Sequence, residues 1–114
     1  MRVVTDAFSV TRIGTGAWAV VGELDMATAP TLEQALCSDP TPGDLRLDCA
    51  RLVFMDSQGV RSLLAVADAR PPGGRLVLEH LTPEVRRIAD LVQLAAVPAI
   101  AVEGPSPQDP VAGG

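Results

Sequence analysis

Asp56 and Ser57 end a hydrophobic run of Leu52, Val53, Phe54 and Met55, and Gln58, Gly59 and Val60 follow them. Apolar residues then recur at 60, 63, 64 and 67, the stripe of an amphipathic helix. Ser57 therefore falls where the cap or first turn of that helix belongs. A hydroxyl there has an ordinary role, accepting a bond from one of the free backbone N–H groups. It also has a regulatory one. A phosphate on Ser57 would add a charge of about −1.5 to −2 at a surface junction. The residues alone leave both roles open.

Other chemistries fail for lack of partners. A serine nucleophile needs a base, and His80 is the single histidine. It lies in a loop between a strand and a helix start, and Asp56-Ser57-Gln58-Gly59 is not a nucleophile elbow. No enzymatic activity is expected. Phosphoaspartate chemistry at Asp48 or Asp56, of the response-regulator kind, needs an acidic pair for a divalent ion and a lysine. The chain has no lysine; all nine of its basic residues are arginine. Cys37, Cys49 and His80 fit no metal-ligand spacing, so neither metal nor cofactor is expected. Both cysteines are expected to be small, buried, reduced side chains.

Periodicity and breakers give the strands and helices around Ser57. Residues 1–5 are frayed or an edge. Residues 6–22 read as a hairpin, with Phe8 and Val10 alternating, a turn at Gly14-Thr15-Gly16, and a second strand from Ala17 to Val21. Trp18 is a packing residue. A first helix carries Ala29, Leu32, Ala35 and Leu36 inward, with Pro30 in its first turn, and stops before Asp39-Pro40-Thr41-Pro42-Gly43. Leu45, Leu47 and Cys49 share one face of the next strand. The helix over 58–69 follows the Asp56-Ser57 step, with Val66 and Ala67 finishing its apolar side. Residues 75–79 form another strand. Thr82, Pro83 and Glu84 open a third helix as cap, first residue and first-turn acid, with Val85, Ile88, Ala89 and Val92 as its stripe. Residues 98–102 form a last short strand. Strands alternating with helices through short connections imply an α/β fold with a mixed, mainly parallel sheet of about five strands and helices packed on it. Residues 1–102 make one domain. Residues 103–114, rich in Pro and Gly without apolar periodicity, read as a disordered tail.

Charge and length bound the partners. The chain has 114 residues and a formal net charge of −5, which argues against a nucleic-acid-binding face. No apolar run reaches membrane-spanning length and the start carries no signal-peptide pattern, so a cytoplasmic protein away from the membrane is expected. Nothing in the pattern forces a dimer, and a monomer is expected.

Four stretches together resemble one family. Phe54-Met55-Asp56-Ser57-Gln58-Gly59-Val60 is similar to the Asp-Ser-Ser/Thr-Gly segment of the STAS domain, the fold of bacterial anti-sigma factor antagonists. Gly22-Glu23-Leu24-Asp25 with Thr28-Ala29-Pro30 resembles the segment before the family's first helix. Residues 73–78 and 82–87 resemble its fourth strand and third helix. The resemblance spans roughly residues 6 to 102. It implies that Ser57 is phosphorylated by an anti-sigma factor that is itself a serine kinase, and reset by a serine phosphatase. Unphosphorylated protein would hold that partner and release a sigma factor. It further implies a partner-binding set of Asp25, Asp56, Ser57, Gln58, Gly59 and Arg61. For Asp25 the ordinary role is that of a turn or cap carboxylate. STAS modules that are not phosphorylated also serve as accessory subunits of transporters or signalling complexes, and the residues admit this alternative.

Several positions depart from the family pattern. Gln58 stands where Ser or Thr is usual, leaving Ser57 as the sole acceptor in the motif. Arg61 replaces a second Gly, one turn after Ser57. There it can pair with a phosphate, contact a partner, or simply extend into solvent. Gln93 replaces a Gly after the third helix. The family's fourth helix is missing, so Ile100 or Val102 is expected to be exposed.

Overall fold

A computed structural model of the chain describes residues 2–5 and 7–104. Its strands are β1 (Arg2–Thr5), β2 (Phe8–Gly14), β3 (Ala17–Leu24), β4 (Leu45–Met55), β5 (Leu76–Glu79) and β6 (Ile100–Val102). Its helices are α1 (Ala29–Cys37), α2 (Ser57–Asp68) and α3 (Pro83–Leu91), with a 3-10 turn at Leu94–Ala96. The strands form one sheet in the order β1-β2-β3-β4-β5-β6. β1, β2 and β3 pair antiparallel, and β3, β4, β5 and β6 pair parallel. The mixed, mainly parallel α/β architecture thus matches the sequence reading. The sheet has one strand more than the expected five, because residues 2–5 form an edge against β2.

All three helices share one core with one face of the sheet. Trp18 and Val20 on β3, Leu45, Leu47 and Cys49 on β4, and Leu76 and Leu78 on β5 point into it by the period-2 rule. Leu32 and Leu36 of α1, Val60, Leu63 and Val66 of α2, and Val85 and Ala89 of α3 meet them. The opposite face carries a charged network instead: Arg46 bonds both Glu79 and Glu103. Glu103 also continues the sheet ladder, its N–H donating to the Leu78 carbonyl at 2.9 Å. The remainder of the expected tail, 105–114, lies outside the described residues.

Four expectations need correction. β4 runs through Arg51 and Leu52 to Met55, with two register shifts against β3 where the strand carries extra residues. Leu64 and Val92, assigned to buried stripes, are exposed; α3 ends at Leu91, so Val92 falls outside its last turn. Cys37 is exposed at the end of α1, while Cys49 is buried, and both are free thiols. Burial pushes the Cys49 thiol well above its ordinary range, with the nearby Asp48 adding to the shift. Ile100 is buried and Val102 half-buried, although no fourth α-helix covers them among the described residues. Gln93 takes the left-handed backbone, φ 54°, that a glycine adopts at a helix end, so α3 ends in the usual way at some cost in strain.

Trp18 packs as expected, and its indole adds a bond that periodicity cannot show. The Trp18 Nε1–H donates to Asp39 Oδ2 at 2.7 Å, with both residues buried. Burial alone would raise the Asp39 pKa. Bonds from Thr41 and Trp18, together with the Arg12 charge, outweigh it and hold the carboxyl below its ordinary value. A carboxyl with a lowered folded pKa stabilises the fold above its unfolded pKa, about 3.9, and loses that contribution as pH falls through the folded value. Trp18→Phe should cost about 2 kcal/mol at pH 7, the order expected when a buried charged acceptor loses a donor. It should also flatten the loss of stability below about pH 4. Urea melts of both proteins from pH 7 to pH 3 would check this; equal acid dependence would count against the bond.

Candidate functional site

The site forms where β3 and β4 end together. Leu24 and Met55 are register partners in this parallel pair, so the next residues, Asp25 and Asp56, leave the sheet side by side. The Asp56 N–H donates back to the Leu24 carbonyl at 3.2 Å, which fixes the start of α2 against the end of β3. Gly59 makes this approach possible. A Cβ there would lie 2.6 Å from the Leu24 carbonyl oxygen and 2.7 Å from Met55 Cγ.

Asp56, and not Ser57, caps α2. Its backbone is extended, and Oδ1 accepts the N–H of Gln58 at 2.9 Å and of Gly59 at 3.0 Å. Ser57 is the first helical residue. Its side chain is exposed, and its hydroxyl has no hydrogen-bond partner among the described residues. The capping role open to Ser57 in the sequence is therefore taken by its neighbour. This makes a clean pair of expectations. Asp56→Ala should destabilise by about 1 kcal/mol through loss of the cap. Ser57→Ala should change stability by less than about 0.5 kcal/mol, as an exposed substitution without partners. Thermal melts of the two variants check both, and a costly Ser57→Ala would contradict the assignment.

Asp25 does what a turn carboxylate does. Its Oδ1 accepts the N–H of Ala27 at 2.9 Å and of Thr28 at 3.2 Å, while its own N–H donates to Thr28 Oγ1 at 2.9 Å. Thr28 in turn donates to the Glu23 carbonyl at 2.7 Å. The structure thus brings Asp25, Asp56, Ser57 and Gly59 to one end of the β3–β4 pair. Gln58 and Arg61 are exposed on α2. Arg61, at i+4 from Ser57, lies on the same side of the helix. His80 stands elsewhere, at the end of β5, bonded to Asp48 through Nδ1 at 3.1 Å.

The sequence reading missed the apolar part of this surface. Met26, Val53 and Phe54 are 74%, 56% and 46% exposed. Val53 also lines a cavity of about 450 Å³ together with Phe8, Gly22, Glu23, Asp25 and Thr28. A signal was present: Val53 and Phe54 are adjacent, and two successive strand residues cannot both face one core. The register shift between Gly22 and Glu23 opposite them is where that alternation breaks. The surface is therefore three large apolar side chains beside the carboxylates of Glu23, Asp25 and Asp56. Among the described residues it holds no group of carboxylate, histidine and cysteine side chains suited to a metal ion, and no helix is long and apolar enough to cross a membrane.

Two of the solved proteins that the structure resembles are anti-sigma factor antagonists. One is the anti-sigma factor antagonist SpoIIAA in its unphosphorylated form, 22% identical, with a TM-score of 0.66 over 86% of this chain and 89% of that one. The other is an anti-sigma factor antagonist from Mycobacterium paratuberculosis, 28% identical, with a TM-score of 0.62 over 89% of this chain and 82% of that one. No protein with a curated description matches the sequence. The family model described as "Mlab, STAS domain" matches residues 12–101. With residues 12–101 of its 114 matched by that family model, the chain belongs to the STAS domain family.

Proposed function

We propose that the protein is an anti-sigma factor antagonist switched by phosphorylation of Ser57. The observation that carries this reading is an exposed serine hydroxyl without a structural task, on a helix whose cap is supplied by the preceding residue. The likeness to solved antagonists supports it. Unmodified protein binds an anti-sigma factor and frees a sigma factor. That anti-sigma factor is a serine kinase, and a serine phosphatase reverses the modification. Asp25, Asp56, Ser57, Gln58, Gly59 and Arg61 contribute the contact, with Met26, Val53 and Phe54 as its apolar anchors.

The physics of the switch is electrostatic and local. A phosphate on Ser57 adds about two negative charges beside two carboxylates that already use local N–H donors. Packing a partner over that site would desolvate all three charges at once. The fold is little affected, because Ser57 holds nothing in place. Phosphorylation therefore acts on the interface and leaves the domain intact.

A second reading is a STAS module that is not phosphorylated and serves a transporter or signalling complex. The match to the family model described as "Mlab, STAS domain" supports it as far as the family goes, since membership alone does not require phosphorylation. Incubation with the candidate anti-sigma factor and ATP separates the two. Acid-stable phosphate mapped to Ser57, and absent from Ser57→Ala, supports the switch. A bound partner that transfers no phosphate supports the accessory module.

A further inference from the structure

We infer that Arg61 is a positioning residue that holds the phosphate of phosphorylated Ser57 on the surface of α2. This rests on the proposal that Ser57 is the acceptor, and deepens it by naming the group that receives the phosphate.

Several groups close to Ser57 cannot receive the phosphate. The N–H groups of Gln58 and Gly59, which would otherwise greet an anion at a helix start, already donate to Asp56. The neighbouring carboxylates repel a phosphate. Its counter-charge must therefore come from a cation within side-chain reach. Ser57 and Arg61 are four residues apart on one helix, the spacing at which side chains meet. Both are exposed.

Arg61 is also uncommitted. Arg46 is held by Glu79 and Glu103, Arg75 by Asp44, Arg86 by Asp90, and Arg70 by three loop carbonyls. Arg61 has no hydrogen bond or ion pair among the described residues. The residues three and four away on its own helix are Ser57, Gln58, Leu64 and Ala65, none of them charged; the one acid of α2, Asp68, lies two turns on and makes no ion pair with Arg61 among the described residues. Arg61 borders a groove of about 480 Å³ with Leu64, Ala65, Asp68, Val97 and Ala99. A guanidinium fork matches a phosphate in two parallel bonds. In the unphosphorylated protein this arginine pairs with none of the described residues; on modification it gains a dianion one turn away.

The test installs the phosphate without any kinase. Phosphoserine is encoded at position 57 of the full chain, and its 31P resonance is titrated in the otherwise wild-type protein, in Arg61→Gln and in Arg87→Gln, an exposed arginine on α3. An arginine pair favours the dianion and lowers the second phosphate pKa. Arg61→Gln should raise the midpoint by about 0.2–0.4 unit at low salt, from the strength of i,i+4 ion pairs. Arg87→Gln should leave it in place. Equal midpoints with and without Arg61, or an equal rise in the Arg87 variant, would overturn the inference. Because the phosphate is encoded, failure of Ser57 to be phosphorylated by any kinase leaves this result unaffected and bears only on the proposed switch.

Discussion

Gly59→Ala is expected to lower stability by about 2 kcal/mol and the melting temperature by about 8 °C. Alanine is the better helix former, by roughly 1 kcal/mol in a helix interior, but less at the third residue of a helix. The opposing term is steric. The new methyl would sit 2.6 Å from the Leu24 carbonyl oxygen and 2.7 Å from Met55 Cγ. The methionine can rotate away; the carbonyl cannot, because it accepts the Asp56 N–H and lies within the β3–β4 pair. Overpacking of this kind costs about 1–3 kcal/mol. The relief available is to push α2 off the sheet end, which also displaces Ser57 from Asp25. Gly14→Ala is the control, since its Cβ would meet nothing nearer than Ala17 Cβ at 3.7 Å. Circular-dichroism melts of both variants check the claim, and a Gly59→Ala melt equal to wild type would contradict the close approach.

Phe54→Ala should weaken binding to the anti-sigma factor about thirty-fold while leaving the fold standing. A large aromatic side chain, 46% exposed and in register with Glu23 on β3, is the form that interface anchors take. Removing an anchor typically costs about 2 kcal/mol of affinity, which is the factor given. The half-exposed ring contributes less to the domain itself, so stability should fall by no more than about 1 kcal/mol. Titration calorimetry with the purified partner measures the first and a melt the second. Unchanged affinity would place the contact elsewhere on the domain.

Much of the architecture was legible because local signals agreed with one another. Thr82 caps α3 as its sequence suggests, its Oγ1 accepting the Val85 N–H at 3.4 Å, and Pro83 and Glu84 occupy the first turn. Ala29, Leu32, Ala35 and Leu36 are all buried on α1. What failed depended on contacts distant in sequence. Asp56 and Ser57 are both good capping residues, and only the backbone at Asp56, extended and aimed at Gln58 and Gly59, decides between them. Val53 and Phe54 read as one hydrophobic run, and only the register of β4 against β3 shows them facing outward. The buried bond between Trp18 and Asp39 joins residues 21 apart, beyond the reach of any periodicity. Arg61 was visible as a departure at i+4 from Ser57, but that it pairs with none of the described residues is a fact of the fold.

On the proposed switch, the charge on Ser57 decides whether the partner is held. The most direct measurement captures partners from native extract on immobilised wild-type protein and on Ser57→Asp, while tandem mass spectrometry maps phosphate on the native chain. Phosphate on Ser57, with a serine-kinase anti-sigma factor held by wild type and lost from the aspartate bait, is the expected result. No phosphate on Ser57, together with a partner that binds both baits equally, would contradict the switch and leave a constitutive STAS module.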